Sequence, residues 1–232
     1  MRSGAGAGAE GQGMDNKKAD YFFTISTSVT RHYDFPEMLV LYVTAEDEEN
    51  FEKHSAKLKA LIIHTGPEGF PEKDSFHLFD VESHHTMEAY YLIQNNKQKI
   101  RDTLGIGEDS YLDDPETFLV IEKIDVDEEC RGLGLALRLI KEAKNVFGYW
   151  PSTMSLLKAY PTNRDPFNES KAPTLDDIRS LTNYYMSDEN LGFKEIDPVN
   201  EPGWLVALGA EPYYYCEDGQ EAFFSSRQKI KS

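Results

Sequence analysis

The stretch Arg131-Gly132-Leu133-Gly134-Leu135-Ala136 combines residue types that suit anion binding. Small residues at Gly132, Gly134 and Ala136 let a ligand come close to the backbone. The first N–H groups of a helix lack internal partners and carry the positive end of its dipole, so a helix opening here attracts phosphate. Arg131 adds a guanidinium whose fork matches phosphate oxygens. Glu122 stands nine positions earlier, in an extended row with Phe118, Val120, Ile124 and Val126. A carboxylate in an apolar row is costly to bury unless it is paired or used in chemistry. Pairing with a lysine is the structural alternative for Glu122.

Taken alone, R-x-x-G-x-[GA] is a weak pattern, and a glycine-rich turn without a ligand is the competing reading. Its position between a strand and an amphipathic helix gives it weight. Other phosphate motifs fit less well. A dinucleotide fingerprint needs a third small residue where Leu137 stands, and no Gly-Lys-Ser/Thr occurs for a P-loop. There is no G-x-S-x-G elbow either. His84 and His85 are adjacent and point about 100° apart on a helix. His32, His54, His64 and His77 show no ligand spacing, so no metal site is expected. Cys130 has no histidine near it in sequence and reads as a small buried connector rather than a nucleophile.

Around these residues the chain predicts alternating strands and helices. Strands are expected over 21–29, 38–44, 57–64, 76–81, 118–126, 155–160, 193–196 and 204–208, with one more near 213–224. The run AEDEENFEKH (45–54) reads as a solvated turn or short helix. Ser83 caps a helix to about Leu104, stopped by Gly105. A second helix spans about Gly132 to Phe147, with Arg138, Lys141, Glu142 and Asn145 opposite a broad apolar stripe. Thr174 caps a third, to about Met186. The polar, proline-rich stretch 161–173 is a candidate substrate loop. Segments 118–126, 132–147 and 155–160 form a strand–helix–strand crossover. The fold class is therefore α/β, a central mixed and mostly antiparallel twisted sheet of about 6–7 strands flanked by helices. Residues 1–20 read as a flexible tail, and 21–232 as one domain.

Composition narrows the partners. The net charge of −17 repels polyphosphate, so nucleic acid is not an expected partner, whereas a cationic amine would be drawn in. Two cysteines, Cys130 and Cys216, make no disulfide framework. No run is long and apolar enough for a membrane helix, so no membrane partner is expected. The small, polar N-terminus lacks a secretory core, and a reducing cytoplasmic setting is the default.

The run IEKIDVDEECRGLGLALRLI resembles the acetyl-CoA-binding core of the GNAT (GCN5-related N-acetyltransferase) superfamily. The resemblance implies an acyl-CoA N-acyltransferase fold and acetyl-CoA as cosubstrate, with no metal. It implies that Ile124, Asp125 and Val126 meet the pantetheine arm through their backbone. Arg131, Gly132, Leu133, Gly134, Leu135 and Ala136 would hold the pyrophosphate. It further implies Glu122 as general base, acting directly or through water.

LTNYYMSDENLGFKEI (181–196) is similar to a later motif of the family, in which a tyrosine before a Gly-Phe protonates the thiolate leaving group. A phenol is a competent acid for such a group. Tyr185 is the candidate and Tyr184 its alternative. Tyr185 lies seven positions before Gly192, farther than the family spacing, which implies an insertion within MSDEN. The implied activity is acetyl transfer to a primary amine whose identity the sequence does not give. A homodimer is admitted. The alternatives are a non-catalytic acyl-CoA sensor or interaction module on the same fold, and a domain that binds no nucleotide.

Overall fold

The computed structural model describes residues 22–35, 37–48, 55–65, 76–80, 83–106, 115–147, 153–161, 173–196 and 202–209. Seven strands form one sheet: β1 (Phe23–Arg31), β2 (Met38–Asp47), β3 (Ser55–His64), β4 (Thr117–Val126), β5 (Thr153–Lys158), β6 (Lys194–Ile196) and β7 (Trp204–Leu208). Their spatial order is β1-β2-β3-β4-β5-β7-β6. Only β4 and β5 run parallel, and every other neighbouring pair is antiparallel. Among the described residues four α-helices accompany the sheet: α1 (Phe76–Phe79), α2 (His84–Leu104), α3 (Leu135–Phe147) and α4 (Leu175–Met186). The α/β class and the mostly antiparallel mixed sheet are those expected.

The centre of the sheet is apolar on both faces because helices cover both. On one face Leu61, Ile63, Phe118, Val120, Leu156 and Trp204 pack with α1 and α2. On the other, Leu58, Ile62, Leu119, Ile121, Leu157 and Leu205 pack with α3 and α4. The α3 stripe buries Leu135, Leu139, Ile140 and Ala143, while Arg138, Lys141 and Asn145 stay exposed. Lys144 anchors the far end of α3. Its Nζ donates to the carbonyls of Leu191 and Leu208 and lies 5.3 Å over the Phe193 ring, and burial holds its pKa down at about 8.

Three expectations are corrected. The stretch from Phe76 is the helical turn α1 rather than a strand. A short apolar run is ambiguous between the two states, and the packing of Phe76 and Phe79 on Tyr90 of α2 decides it. Ala45, Glu46 and Asp47 extend β2 rather than forming a turn, because β1 pairs with all three and β3 with Ala45 and Glu46. The helix expected from Gly132 begins at Leu135, after a turn that holds Gly132 and Gly134 at positive φ. The expectations for 1–20, Tyr21, 66–75, most of 161–173, and 213–224 lie outside the described residues, as does the 49–54 part of the run read as a turn.

Candidate functional site

The ends of β4 and β5 create the site. Their pairing runs from Thr117↔Thr153 to Ile121↔Leu157 and stops there, while β4 continues to Val126 paired only with β3. The segment Glu122–Val126 thus has no strand on its β5 side among the described residues. A bulge sits at the same point. Lys59 of β3 faces Lys123 and the next residue, Ala60, faces Ile121, so Glu122 is the extra residue in the ladder.

The bulge overturns the side-chain alternation expected for β4. Phe118 and Val120 face α2, but Ile124 and Val126 pack with the cluster on the α3 face. An inserted residue shifts the period-2 register, so side chains beyond it change face. Glu122 therefore does not share a row with Ile124 and Val126. Its Oε2 meets Lys59 Nζ at 2.7 Å, without the alignment of a hydrogen bond, and its side chain is 11 % exposed. This is the lysine pairing weighed as the structural alternative, with β3 supplying the partner.

On the α3 side a cavity of about 440 Å³ opens beside the free end of β4. Ile124 and Val126 form one wall and Tyr160 and Pro161, just past β5, another. The turn Cys130–Gly132, with Gly134 to Ala136, forms its floor, and Ser180, Leu181, Tyr184 and Tyr185 of α4 close it. Asp125 is not part of the lining, and its carboxylate pairs with Lys123 at 2.6 Å. Glu122 is not part of it either. Leu133 is exposed on the turn outside the cavity.

The turn before α3 supplies the donors. Two of its amides are spent locally, Arg131 N–H on the Glu128 carbonyl and Leu133 N–H on Cys130. Those of Gly132, Gly134, Leu135 and Ala136 have no acceptor among the described residues, and the first intrahelical bond comes from Arg138 to Gly134. The Leu137 amide bonds the Tyr184 phenol. Gly132 (φ 80°) and Gly134 (φ 74°) are left-handed, and a Cβ on either would meet nothing within 4 Å. Backbone conformation, with open space on the cavity side, is what requires glycine here. The turn is tied back to the sheet, since Asp127 Oδ2 accepts from Ser55 N (2.7 Å) and Ser55 Oγ (2.9 Å) at the start of β3.

Asp177 and Cys130 also line the cavity. Asp177 is held in a capping box at the start of α4, accepting from Thr174 N (2.9 Å) and Oγ1 (2.8 Å). Burial pushes the Cys130 thiol up, and Asp127, Asp47 and Glu129 push in the same direction. Cys130 is thus a neutral, buried connector. Native protein at pH 7–8 should leave it unalkylated by iodoacetamide, with modification appearing only on unfolding, as read by peptide mass spectrometry.

Burial also raises the phenol of Tyr185, and its neighbour Tyr184 adds to this. Burial raises Tyr184 as well, countered by the Leu137 amide. The two rings lie 5.4 Å apart. Both stay protonated at neutral pH, and the upward shift makes each a weaker proton donor than an exposed phenol.

Among the described residues no helix is long and apolar enough to cross a membrane, and no group of three or more His, Cys, Asp or Glu side chains converges as a metal site. Sequence reasoning placed the helix-mouth glycines and the α4 tyrosines at the site. It missed Tyr160 and Ser180, which carry no motif and reach the cavity only through the register of β5 and the docking of α4. Comparison with models of known protein families and with curated proteins found no match.

Proposed function

We propose that this chain is an acetyl-CoA-dependent N-acetyltransferase acting on a primary amine, a GNAT-like enzyme on the strength of the resemblance at 122–136 and 181–196. The observation that carries the proposal is the cavity where β4 and β5 part, floored by four uncommitted backbone amides at a helix mouth. A diphosphate suits such a floor because each amide gains a charge-assisted partner, and Arg131 stands at its rim. The exposed backbone edge of Ile124 to Val126 suits the amide-bearing pantetheine arm, which can pair with it as a strand would.

Transfer asks three things of the protein. The amine must lose a proton, the thioester carbonyl must be held in place, and the departing thiolate must be accommodated. Glu122 is assigned to the first, acting directly or through water. Tyr185, with Tyr184 beside it, supplies a proton to the thiolate. The Val126 backbone N–H is the candidate donor to the carbonyl oxygen as charge builds on it. Proximity in the gap carries much of the rate, because thioesters are already reactive.

The test is a thiol-release screen of acetyl-CoA against polyamines, amino acids, aminoglycosides and lysine peptides. Amine-dependent release is the expected result. In the responding pair, Glu122→Gln should lower kcat/KM by about 10²-fold. A variant with full turnover across pH would remove the base assignment. Coenzyme A binding by calorimetry without any amine-dependent release would favour a sensor or interaction module instead, a reading in keeping with the wide spacing between Tyr185 and Gly192.

A further inference from the structure

Opposite the cavity, on the α2 face, ionisable side chains gather where β4 leaves β5. Glu88 Oε2 meets Lys158 Nζ at 2.8 Å, and Glu122 Oε2 meets Lys59 Nζ at 2.7 Å. His85 feels Glu88, Lys158 and Glu122 of these pairs, and its ring stacks on Trp204 at 5.2 Å and 7°. Its Nε2 is 3.3 Å from the carbonyl of Ile121, the last β4 residue paired with β5. Tyr160 links the two faces, since its ring lies 5.9 Å from Lys158 Nζ and also lines the cavity.

A carbonyl oxygen can only accept, so the Nε2 proton is fixed by this contact. The neutral ring must then carry its lone pair on Nδ1. That atom has Glu88 Oε2 at 3.8 Å, a second acceptor that has no proton to give as a carboxylate. Nδ1 thus carries a lone pair open to an N–H donor, beside a carboxylate that Lys158 already occupies. Each carboxylate already faces a lysine ammonium, whereas among the described residues Nδ1 faces none at bonding distance.

We infer that His85 is the immediate proton acceptor for the amine substrate, which enters from the α2 face and meets the acetyl group through the gap between β4 and β5. The inference rests on the acetyltransferase reading and adds a group and a direction to it. An alkylammonium would give one proton to His85 Nδ1, and its freed nitrogen lone pair would form the C–N bond at the thioester carbonyl. The C–S bond breaks, its electron pair leaves on sulfur, and the thiolate takes the second nitrogen-borne proton by way of a phenol of α4. His85 then returns its proton to solvent, so one amide, one thiol and one proton leave. Glu122, and Glu88 beside it, would hold the imidazolium in between.

The groups facing His85 are Glu88 and the exposed His84 on α2, Glu122 on β4 with Lys59 behind it, and Lys158 on β5. Burial lowers the His85 pKa below the ordinary imidazole value, and Lys158 lowers it further, against Glu88, the Ile121 carbonyl and Glu122. A ring neutral at pH 7 has its lone pair free to take a proton.

The test combines kinetics on the full chain with imidazole nitrogen NMR of the free protein. With acetyl-CoA and the fastest amine of the thiol-release screen, His85→Gln should lower kcat/KM for the amine by about 10²-fold at pH 7 and abolish the acid limb of its pH profile. The KM for acetyl-CoA should not move. Glu122→Gln should keep that limb but shift it to lower pH, because a charge holding the imidazolium is gone. The free protein should show the Nε2–H tautomer.

An Nδ1–H tautomer, or a His85→Gln profile matching wild type, would overturn the assignment while leaving acetyl transfer standing. Wild-type protein that binds coenzyme A but releases thiol with no amine would remove both.

Discussion

Gly134→Val should weaken coenzyme A binding by on the order of 10²-fold while the protein still folds cooperatively. Gly134 is left-handed at φ 74°, and a β-carbon there costs about 1–2 kcal/mol. The turn can relieve that strain only by rotating peptides that now point their N–H groups at the cavity. Loss of one charge-assisted amide–phosphate bond costs about 1.5–3 kcal/mol more. Strain that remains falls on folding stability, so the lost bond sets the affinity change, at about 1.4 kcal/mol for each factor of ten.

Gly105→Val supplies the control. Gly105 is also left-handed (φ 72°), with open space around it, but it caps α2 and does not line the cavity. It should lose similar stability and keep its affinity. Calorimetric titration with coenzyme A and with inorganic pyrophosphate reads both variants. Unchanged binding by Gly134→Val would show that the turn before α3 is not where the diphosphate rests.

Gly203→Ala should lower Tm by about 6–12 °C, the size expected for roughly 3 kcal/mol in a chain of this length. Two costs coincide at this position. The backbone has φ 92°, a region that L residues rarely adopt, and the added Cβ would come 2.8 Å from Ile178 Cγ2 and 3.0 Å from the Ala159 carbonyl oxygen. The neighbours have little room to yield. Ala159 N–H donates to the Gly203 carbonyl at 2.7 Å, and Ile178 is buried on α4.

The same contact gives the variant a functional signature. Ala159 precedes Tyr160, and Ile178 lies one residue after Asp177, so the displaced residues adjoin lining residues on two sides of the cavity. Thermal melting with and without coenzyme A should show a lower Tm and a smaller ligand-induced rise. Gly105→Ala, with strain but no clash, should lose only about 1 kcal/mol. A Gly203→Ala melt as mild as that of Gly105→Ala would mean that Ile178 and Ala159 give way freely.

Local signals in the chain fixed much of this molecule. The Ser83 and Thr174 caps, the apolar run of β4 and the stripe of α3 each report on neighbours a few residues away, and each element stands close to where those signals put it. The glycines of the turn before α3 belong to the same class, since a left-handed backbone is a local demand. From them the order of strand, turn and helix, and so the helix-mouth amides, could be read directly.

What the chain could not show depends on partners distant in sequence. A bulge exists only as a mismatch between two strands, so nothing in 118–126 alone reveals that Glu122 is the extra residue or that Lys59, on another strand, is its counterion. Phe76–Phe79 coils because Tyr90 lies where it packs, and His85 gains a defined tautomer because the Ile121 carbonyl reaches it across the face of the sheet. Local sequence determined which elements form and which amides a helix start leaves free. Tertiary structure alone decided which face each charged side chain occupies and which charge it meets, because register and docking are relations between segments rather than properties of any one of them.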